Sequence, residues 1–420
     1  MSASERFDQY MAHLSRALGH ADRHAGLKGY CTGLMLPLSR KSVEPMAARV
    51  DPLHASARHQ ALHHFVAKAQ WSDVEVLRRV CQWVVPHMDF SRGGWWIIDD
   101  TGFPKKGVHS VGVARQYCGM LGKQDKCQVA VSVSLACDQG SIPVAWQLYL
   151  PQDWAQDAER RKRTGVPESV RFATKTQIAL HQVRTLLSEG APRHCVLADA
   201  GYGVDTAFRQ ALSARGLCWA VGIPRHQKVY PSDVQLIFPV AGRGRPRVRH
   251  VPDVKSLAAH TMLEEAKWRK ISWRRGTKGR LSARFAVMRV RIADGAPQRI
   301  GAAGAQHMPG EEAWLVGEHR SSGERKYYLS NLPADTPAKD VAGAIKARWV
   351  CEQAHQQLKE ELGLDHFEGR SWTGLHRHAL MTMIAYAFLQ TRRLAQTGRK
   401  KKSLRSAPSA EPTGCTPSYP

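Results

Sequence analysis

Three carboxylates stand out because acidic residues are the minority in this sequence and these three lie in apolar surroundings. Asp100 follows the apolar run 95–98, Asp199 follows the run 195–198, and Glu352 lies in a helical pattern. Carboxylates at strand ends lie at a sheet edge, where open α/β sheets usually bind ligands. Three converging carboxylates suit Mg²⁺ or Mn²⁺, which take oxygen ligands and can share a phosphate substrate. Each Asp alone is more readily explained as a turn residue or helix cap.

A long amphipathic helix is predicted over residues 340–362, and it carries Glu352 between two basic residues. Arg348, Glu352 and Lys359 are spaced by four and seven residues, which places them on one helix face. The opposite face is apolar and would dock onto a sheet; it comprises Ala347, Val350, Cys351, Ala354, Leu358 and Leu362. Glu352 would then bind a metal while Arg348 and Lys359 contact phosphates. The alternative is a solvated face stabilised by Arg–Glu–Lys pairing.

The segment that must position the aspartates alternates between strand and helix patterns. Apolar runs and alternation predict strands at 95–98, 128–136, 142–150, 195–198 and 218–223, with helices at 172–187 and 205–215. The order β-β-β-α-β-α-β indicates an α/β fold with a sheet flanked by helices. Adjacent strand residues face opposite ways, so Asp99 competes with Asp100 for the place beside Asp199.

Pattern and composition divide the chain into five segments. We predict a helical N-terminal domain (1–90), the first part of an α/β core (91–228), a β-rich insertion (229–337), the C-terminal core helices (338–392) and a disordered basic tail (393–420). The insertion therefore precedes the helix that carries Glu352.

Charge gives the strongest indication of a partner. The 420 residues include 61 Lys and Arg against 36 Asp and Glu, a net charge of +25, which indicates a polyanion such as nucleic acid. A generally basic composition without such a partner is the alternative. We expect a cytoplasmic protein with no membrane association, because there is no signal-peptide pattern, no apolar run of about 20 residues and no C-x-x-C pair among nine cysteines.

The motifs around the three carboxylates resemble those of bacterial insertion-sequence DDE transposases. The resemblance covers roughly residues 95–392 and rests on Ile98-Asp99-Asp100-Thr101, Leu197-Ala198-Asp199, and Arg348-Trp349-Val350-Cys351-Glu352 followed by Lys359. Residues 102–107 and 114–119 also look like conserved segments of one subgroup of that family. The signature helix of that family usually has a Tyr three residues before the Arg, where this chain has Ile345.

The resemblance implies an RNase H-like core, with Asp100, Asp199 and Glu352 as ligands of Mg²⁺ or Mn²⁺. It implies cleavage of double-stranded DNA at element ends and joining to target DNA, with the N-terminal helices reading the ends and a homodimer pairing them. In a bacterial cell such a protein would be associated with the nucleoid when bound to DNA. The alternatives are an RNase H-like structure-selective endonuclease and a catalytically inactive DNA-binding descendant of a transposase.

A basic segment of the insertion is predicted to grip the element end. Residues 267–284 contain eight basic residues, with Trp268 and Trp273 interleaved among them. Basic groups neutralise phosphates, and an aromatic ring can stack on a base drawn out of the duplex. The predicted contacts are Trp268, Trp273, Arg269, Lys270, Arg274 and Arg275. The alternative is that both tryptophans pack in the insertion's own β core.

Overall fold

The computed structural model describes residues 2–238, 249–276, 279–299 and 304–405, and the side chains of 275, 276 and 397–405 are outside that description. The N-terminal part is helical, as predicted. Its helices are α1 (Ala3–Ser15), α2 (Ala21–Met35), α3 (Val43–Val50), α4 (Ala55–Ala67) and α5 (Asp73–Val84). Ser72 caps α5 by accepting a hydrogen bond from the Glu75 backbone N–H at 3.2 Å, which fixes where this helix begins.

The central segment supplies one half of a large mixed sheet and the helices that cover it. Its elements are β1 (Trp95–Pro104), β2 (Ala114–Cys118), β3 (Lys123–Cys137), β4 (Gly140–Leu148), α6 (Gln152–Gln156), α7 (Ala158–Thr164), α8 (Lys175–Ser188), β5 (Cys195–Ala198), α9 (Ala200–Gly203), α10 (Thr206–Ser213) and β6 (Trp219–Ile223). β3 pairs antiparallel with β1, β2 and β4, whereas β5 lies parallel to both β1 and β6. The alternating elements therefore form the mixed α/β sheet predicted from the sequence.

The described part of residues 229–337 is β-rich, and most of its strands continue the same sheet. The elements are β7 (Lys228–Pro231), β8 (Leu236–Ile237), β9 (Val251–Pro252), β10 (Leu257–Ala258), α11 (Ala259–Met262), β11 (Arg269–Gly276), β12 (Gly279–Ile292), β13 (Pro297–Arg299), β14 (Ala305–His307), β15 (Glu312–His319) and β16 (Arg325–Ser330). The large sheet runs β10-β7-β12-β15-β16-β6-β5-β1-β3-β2, with β11 on β12 and β4 on β3. Because β16 pairs with β6, this segment shares its hydrogen-bond ladder with the core.

Three helices complete the described chain: α12 (Ala338–Lys346), α13 (Trp349–Glu360) and α14 (Trp372–Arg405). The single helix predicted over 340–362 is wrong in one respect, since α12 and α13 are separated at Ala347 and Arg348. The apolar faces on either side of the break remain buried in one cluster, so the hydrophobic period gives no sign of it.

Two further differences concern the ends of elements. β1 does not stop at its carboxylates, because antiparallel pairing with β3 continues to Pro104. The tail predicted from residue 393 is wrong for residues 393–405, which prolong α14 as regular helix; the rest of the predicted tail, 406–420, lies outside the described residues. Within the described ranges, the helices lack an apolar stretch long enough to cross a bilayer.

The N-terminal helices are fixed to the sheet domain through α14. The Tyr10 hydroxyl donates to the Ile384 carbonyl at 3.2 Å, and the Tyr10 and Phe388 rings stack with centroids 5.8 Å apart. Arg377 is 5% exposed, and its Nε donates to Asp73 Oδ1 at 3.1 Å. The α14 helix thus forms an ion pair with the start of α5, in which Arg377 is buried and Asp73 is partly exposed.

Arg377→Met should lower the free energy of unfolding by about 3 kcal/mol, because it leaves the Asp73 carboxylate and backbone acceptors near α5 without their donor. Denaturant titration followed by circular dichroism measures the change. The matched control on the same helix, exposed Arg392→Met, should stay within about 0.5 kcal/mol of the parent protein. Equal losses in the two variants would contradict a structural role for the Arg377 ion pair.

Candidate functional site

Asp99 and Asp199 lie on neighbouring parallel strands, just past the point where those strands stop pairing. The ladder between β1 and β5 covers only residues 95–97 of β1. Asp199 follows the last residue of β5 and caps α9, where its Oδ1 accepts hydrogen bonds from the backbone N–H groups of Gly201 (2.9 Å) and Tyr202 (3.3 Å). The predicted position of Asp199 at a strand end is therefore confirmed.

The pleat of β1 sends Asp99 and Asp100 to opposite sides of the sheet. Ile97 packs in the apolar cluster that includes Cys351 of α13, and Asp99, two residues later, faces the same side. Asp100 faces α8 instead, where its carboxylate forms an ion pair with Lys175. Asp99 is thus the member of the pair that lies on the α13 side of the sheet.

The Asp99 carboxylate lies close to Arg348, which immediately precedes α13, and to His355 in the middle of that helix. Its Oδ1 lies 3.4 Å from Arg348 Nη2, and its Oδ2 lies 3.8 Å from His355 Nδ1. His355 Nε2 is in turn 3.2 Å from Ser132 Oγ on β3. Burial lowers the pKa of His355 to about 4, so this imidazole is neutral at physiological pH. Arg348 is therefore the charged partner of Asp99, while the neutral His355 ring lies beside the carboxylate at a distance beyond that of a hydrogen bond.

Burial raises the pKa of Asp99 to about 7, and the surrounding charges act in both directions. Arg348 favours the ionised carboxylate, whereas Asp199, Asp100 and Glu352 disfavour it. These four acidic groups therefore repel one another across a short distance, and a bound cation would remove that repulsion.

Glu352 lies in a cleft of about 750 Å³, together with Asp199 and Arg348. We call this the carboxylate cleft. Its remaining charged lining is mainly basic and comprises Arg225, Arg320, Arg325, Lys326, Lys346 and the single acid Glu264. An anionic chain entering the cleft would therefore meet positive charge on the way to the carboxylates.

Part of this basic lining is held in place by a buried acid. Glu318 is 1% exposed, and its carboxylate lies 2.7 Å from Lys346 Nζ and 3.4 Å from Arg320 Nε. The Tyr328 hydroxyl donates to the same carboxylate at 2.8 Å. These partners hold the pKa of Glu318 below its usual range despite the burial, so the charges persist at neutral pH.

The acidic residues fit a hard divalent cation. One carboxylate oxygen from each of Asp99, Asp100 and Asp199 lies within 4.8 Å of the others, and oxygen ligands are those that Mg²⁺ and Mn²⁺ prefer. Asp99, Cys351 and His355 form a second group of comparable size. Burial raises the pKa of the Cys351 thiol to about 12, which makes a thiolate ligand unfavourable there.

Lys359 contacts strand β1, whereas the helical spacing predicts that it lies beside Arg348 and Glu352 and faces phosphates. Its Nζ donates to the Gly102 carbonyl of β1 at 3.2 Å and lies 5.6 Å from the centroid of the Phe103 ring. The ammonium group is thus engaged with the strand that carries Asp99. The predicted contact of Lys359 with phosphate stays a prediction.

The two tryptophans predicted to stack on DNA both make contacts within the protein. A Cβ added at Gly317 would lie 2.7 Å from the Trp268 ring, so this ring packs directly on β15. Trp273 meets Phe285 edge-on with centroids 5.8 Å apart, and Lys346 Nζ lies 5.1 Å from its centroid. These contacts favour the packing interpretation for both rings, and stacking on DNA stays a prediction.

The basic residues of β11 differ in their surroundings. Arg269 and Lys270 are exposed, and the Arg274 guanidinium lies over the ring of Trp349, 4.0 Å from its centroid. The side chain of Arg275 lies outside the described residues. Arg274 therefore brings β11 against the beginning of α13.

Sequence reasoning missed Lys175, His355 and Ser132 as neighbours of the two adjacent aspartates. His355 offered a weak signal, because it is one turn from Cys351 and so belongs to the buried face of the helix. Lys175 and Ser132 offered none, since their roles depend on which face of β1 each neighbouring element covers.

Comparison with known proteins identifies related sequences. A family model described as DDE superfamily endonuclease matches residues 13–280, a range that includes Asp99 and Asp199 and ends before Glu352. A probable transposase for insertion sequence element IS701, from Microchaete diplosiphon, is 33% identical over 171 residues, which are 41% of each chain. The match thus spans about two fifths of the length of that relative.

Two solved structures show weaker likeness. A piggyBac transposase synaptic complex with hairpin DNA gives a TM-score of 0.40 at 10% identity, over 93% of this chain and 74% of that chain. The NurA nuclease from Sulfolobus solfataricus gives a TM-score of 0.25 at 10% identity, over 64% of this chain and 82% of that chain. Scores this low carry no argument about the fold.

The raised pKa of Asp99 predicts how the metal-free protein responds to pH. The folded protein binds the proton on the Asp99 carboxyl more tightly than the unfolded chain does. Protonation of Asp99 therefore stabilises the fold below pH 3.8, the ordinary pKa of the group, and this stabilisation is lost as the pH rises to about 7. Asp99→Asn removes the titration. We therefore expect the melting temperature of the variant minus that of the parent to increase by a few degrees from pH 5 to pH 8. Both proteins are measured in the presence of a metal chelator.

The matched control is Asp153→Asn, at an exposed carboxylate of α6, measured in the same buffers. Its melting temperature relative to the parent should change little across that range. If Asp99→Asn and the parent differ in melting temperature by the same amount at pH 5 and pH 8, Asp99 is not a buried carboxyl that binds a proton in this range.

Proposed function

The chain belongs to the DDE superfamily of endonucleases, and on that premise we propose that it is the transposase of an insertion sequence. In this proposal it cuts double-stranded DNA at the element ends and joins those ends to target DNA. The observation that carries the proposal is that Asp99, Asp199 and Glu352 all act electrostatically on Arg348, which lies in a basic cleft. The partial relative in Microchaete diplosiphon, itself described as a probable transposase, supports the same activity.

We further propose that the core is RNase H-like. The order β4-β3-β1-β5-β6, with three antiparallel strands followed by two parallel ones, supports this proposal. The first aspartate then lies within the central strand and the second after the neighbouring parallel strand. The glutamate comes from a helix on one face of the sheet.

The metal ligands that we propose are Asp99, Asp199 and Glu352, with Mg²⁺ or Mn²⁺ as the ion. Carboxylate oxygens of Asp99, Asp100 and Asp199 lie within 4.8 Å of one another. We assign Asp99 in place of Asp100 because Asp99 shares a face of the sheet with α13, whereas the Asp100 carboxylate is paired with Lys175. Divalent ions bound there would act as Lewis acids on the phosphate and on the oxygens that attack and leave it.

The chain's own cations would hold the DNA. Arg348 orients Asp99 and lies in the carboxylate cleft, where it would also contact the phosphate that is cut. Arg269, Lys270, Arg274 and Arg275 would contact the backbone further along β11. Lys359 would fix β1 through its bond to Gly102.

We propose that the N-terminal helices read the element ends and that two copies of the chain act together on paired ends. The net charge of +25 supports a DNA partner, because a duplex brings two negative charges for every base pair.

Asp99→Asn should lower Mg²⁺-dependent cleavage at least about a hundredfold, and Asp199→Asn and Glu352→Gln should do the same, because each removes a ligand oxygen charge. The substrate is a labelled duplex containing the DNA that flanks the coding region. Affinity for that duplex, measured by fluorescence anisotropy, should change less than about threefold, since phosphate contacts supply most of it.

Asp100→Asn is the matched neighbour, and it should keep cleavage within about tenfold of the parent. Cleavage that survives Asp99→Asn but is lost in Asp100→Asn would return the ligand role to Asp100. A parent protein that cuts random duplexes as readily as flanking DNA would favour a general nuclease over a transposase.

A further inference from the structure

A second charged cleft of about 880 Å³ lies on the other side of α12 from the carboxylate cleft. We call it the α12 cleft. Its basic residues are Arg92, Arg274, Arg280, Lys339 and Lys346, against the two acids Asp138 and Asp340. A concave surface with five cations and two carboxylates attracts an extended anion.

The charges of this cleft are available to a ligand. Arg280 and Lys339 are both exposed, and neither forms an ion pair with a carboxylate in the described part of the chain. Lys346, by contrast, is held at 2.7 Å by Glu318. Arg280 and Lys339 therefore offer positive charge to a ligand, whereas Lys346 is held in place by its ion pair with Glu318.

The two clefts meet at the beginning of α13, where both are lined by Lys346 and Trp349. The Arg274 guanidinium lies 4.0 Å from the centroid of the Trp349 ring, which ties β11 to this boundary. Lys339 is seven residues before Lys346 on α12, a distance of roughly 10 Å along the helix. Since one nucleotide occupies about 3.4 Å of duplex axis, the α12 cleft would extend about three nucleotides from the boundary.

We propose that the α12 cleft binds target DNA, while the carboxylate cleft holds the element end. This inference rests on the proposed function, because joining requires two DNA molecules at one set of carboxylates. In that step the 3′-hydroxyl oxygen of the end bonds to a target phosphorus, and the bond from that phosphorus to its own 3′-oxygen breaks. The hydroxyl proton passes, in net terms, to the released 3′-oxygen. Contacts from the cations of this cleft would go to phosphates, so binding there would be independent of sequence.

The test separates joining from cleavage with Arg280→Glu/Lys339→Glu. Lys162→Glu/Arg163→Glu is the control, because it makes the same change of charge at exposed residues of α7 that line neither cleft. Joining is measured with a precut end duplex and a supercoiled plasmid, and cleavage with an uncut end. We expect the cleft variant to lose joining at least about tenfold and to keep cleavage within about twofold, with the control close to the parent in both assays. Circular dichroism melting checks that all three proteins are folded.

Binding gives a second readout that needs no activity. For a random-sequence duplex, the slope of log affinity against log salt should fall by about two in the cleft variant, as expected for two lost phosphate contacts. Equal losses of joining and cleavage, or an unchanged salt slope, would overturn the proposal. A parent protein that cuts no end DNA would instead contradict the proposed function, and the salt slope would still decide whether duplex DNA binds in this cleft.

Discussion

The alternation of side chains along β1 is the constraint on which the candidate site depends. Residues 99 and 100 are both aspartates, but the pleat gives one to the side of the sheet covered by α13 and the other to the side covered by α8. Asp99 consequently meets Arg348 and lies in the field of Asp199 and Glu352. The proposed metal site between β1 and α13 depends on this choice of face.

A second constraint is the continuity of the large sheet through residues 229–337. Because β16 pairs with β6, the strands of this segment extend the sheet beyond the two parallel strands of the core. The buried Glu318 of β15 can then hold Lys346 at the end of α12, close to the break before α13. A segment that interrupts the core in sequence thus supplies part of the basic surface beside the carboxylates, and its residues line both clefts.

Much of the core was predictable because its signals are local. The apolar run 195–198 ends at Asp199 in the structure, and the strands predicted at 128–136 and 218–223 lie within or overlap β3 and β6. The choice between Asp99 and Asp100 was not predictable, because it depends on how α13, some 250 residues later in the chain, packs on β1. The break at Arg348 was equally hidden, since the apolar period continues across it. The pairing of β16 with β6 joins segments about 100 residues apart, and no local pattern encodes such a contact.

Anomalous diffraction at the manganese edge, from crystals of the full chain bound to DNA and soaked in Mn²⁺, would locate the metal site directly. We predict a manganese ion with carboxylate oxygens of Asp99 and Asp199 at about 2.2 Å, and Glu352 bound to the same ion or to a second one about 3.5–4 Å away. Manganese held by Asp100 in place of Asp99, or no manganese between β1 and α13, would contradict this prediction.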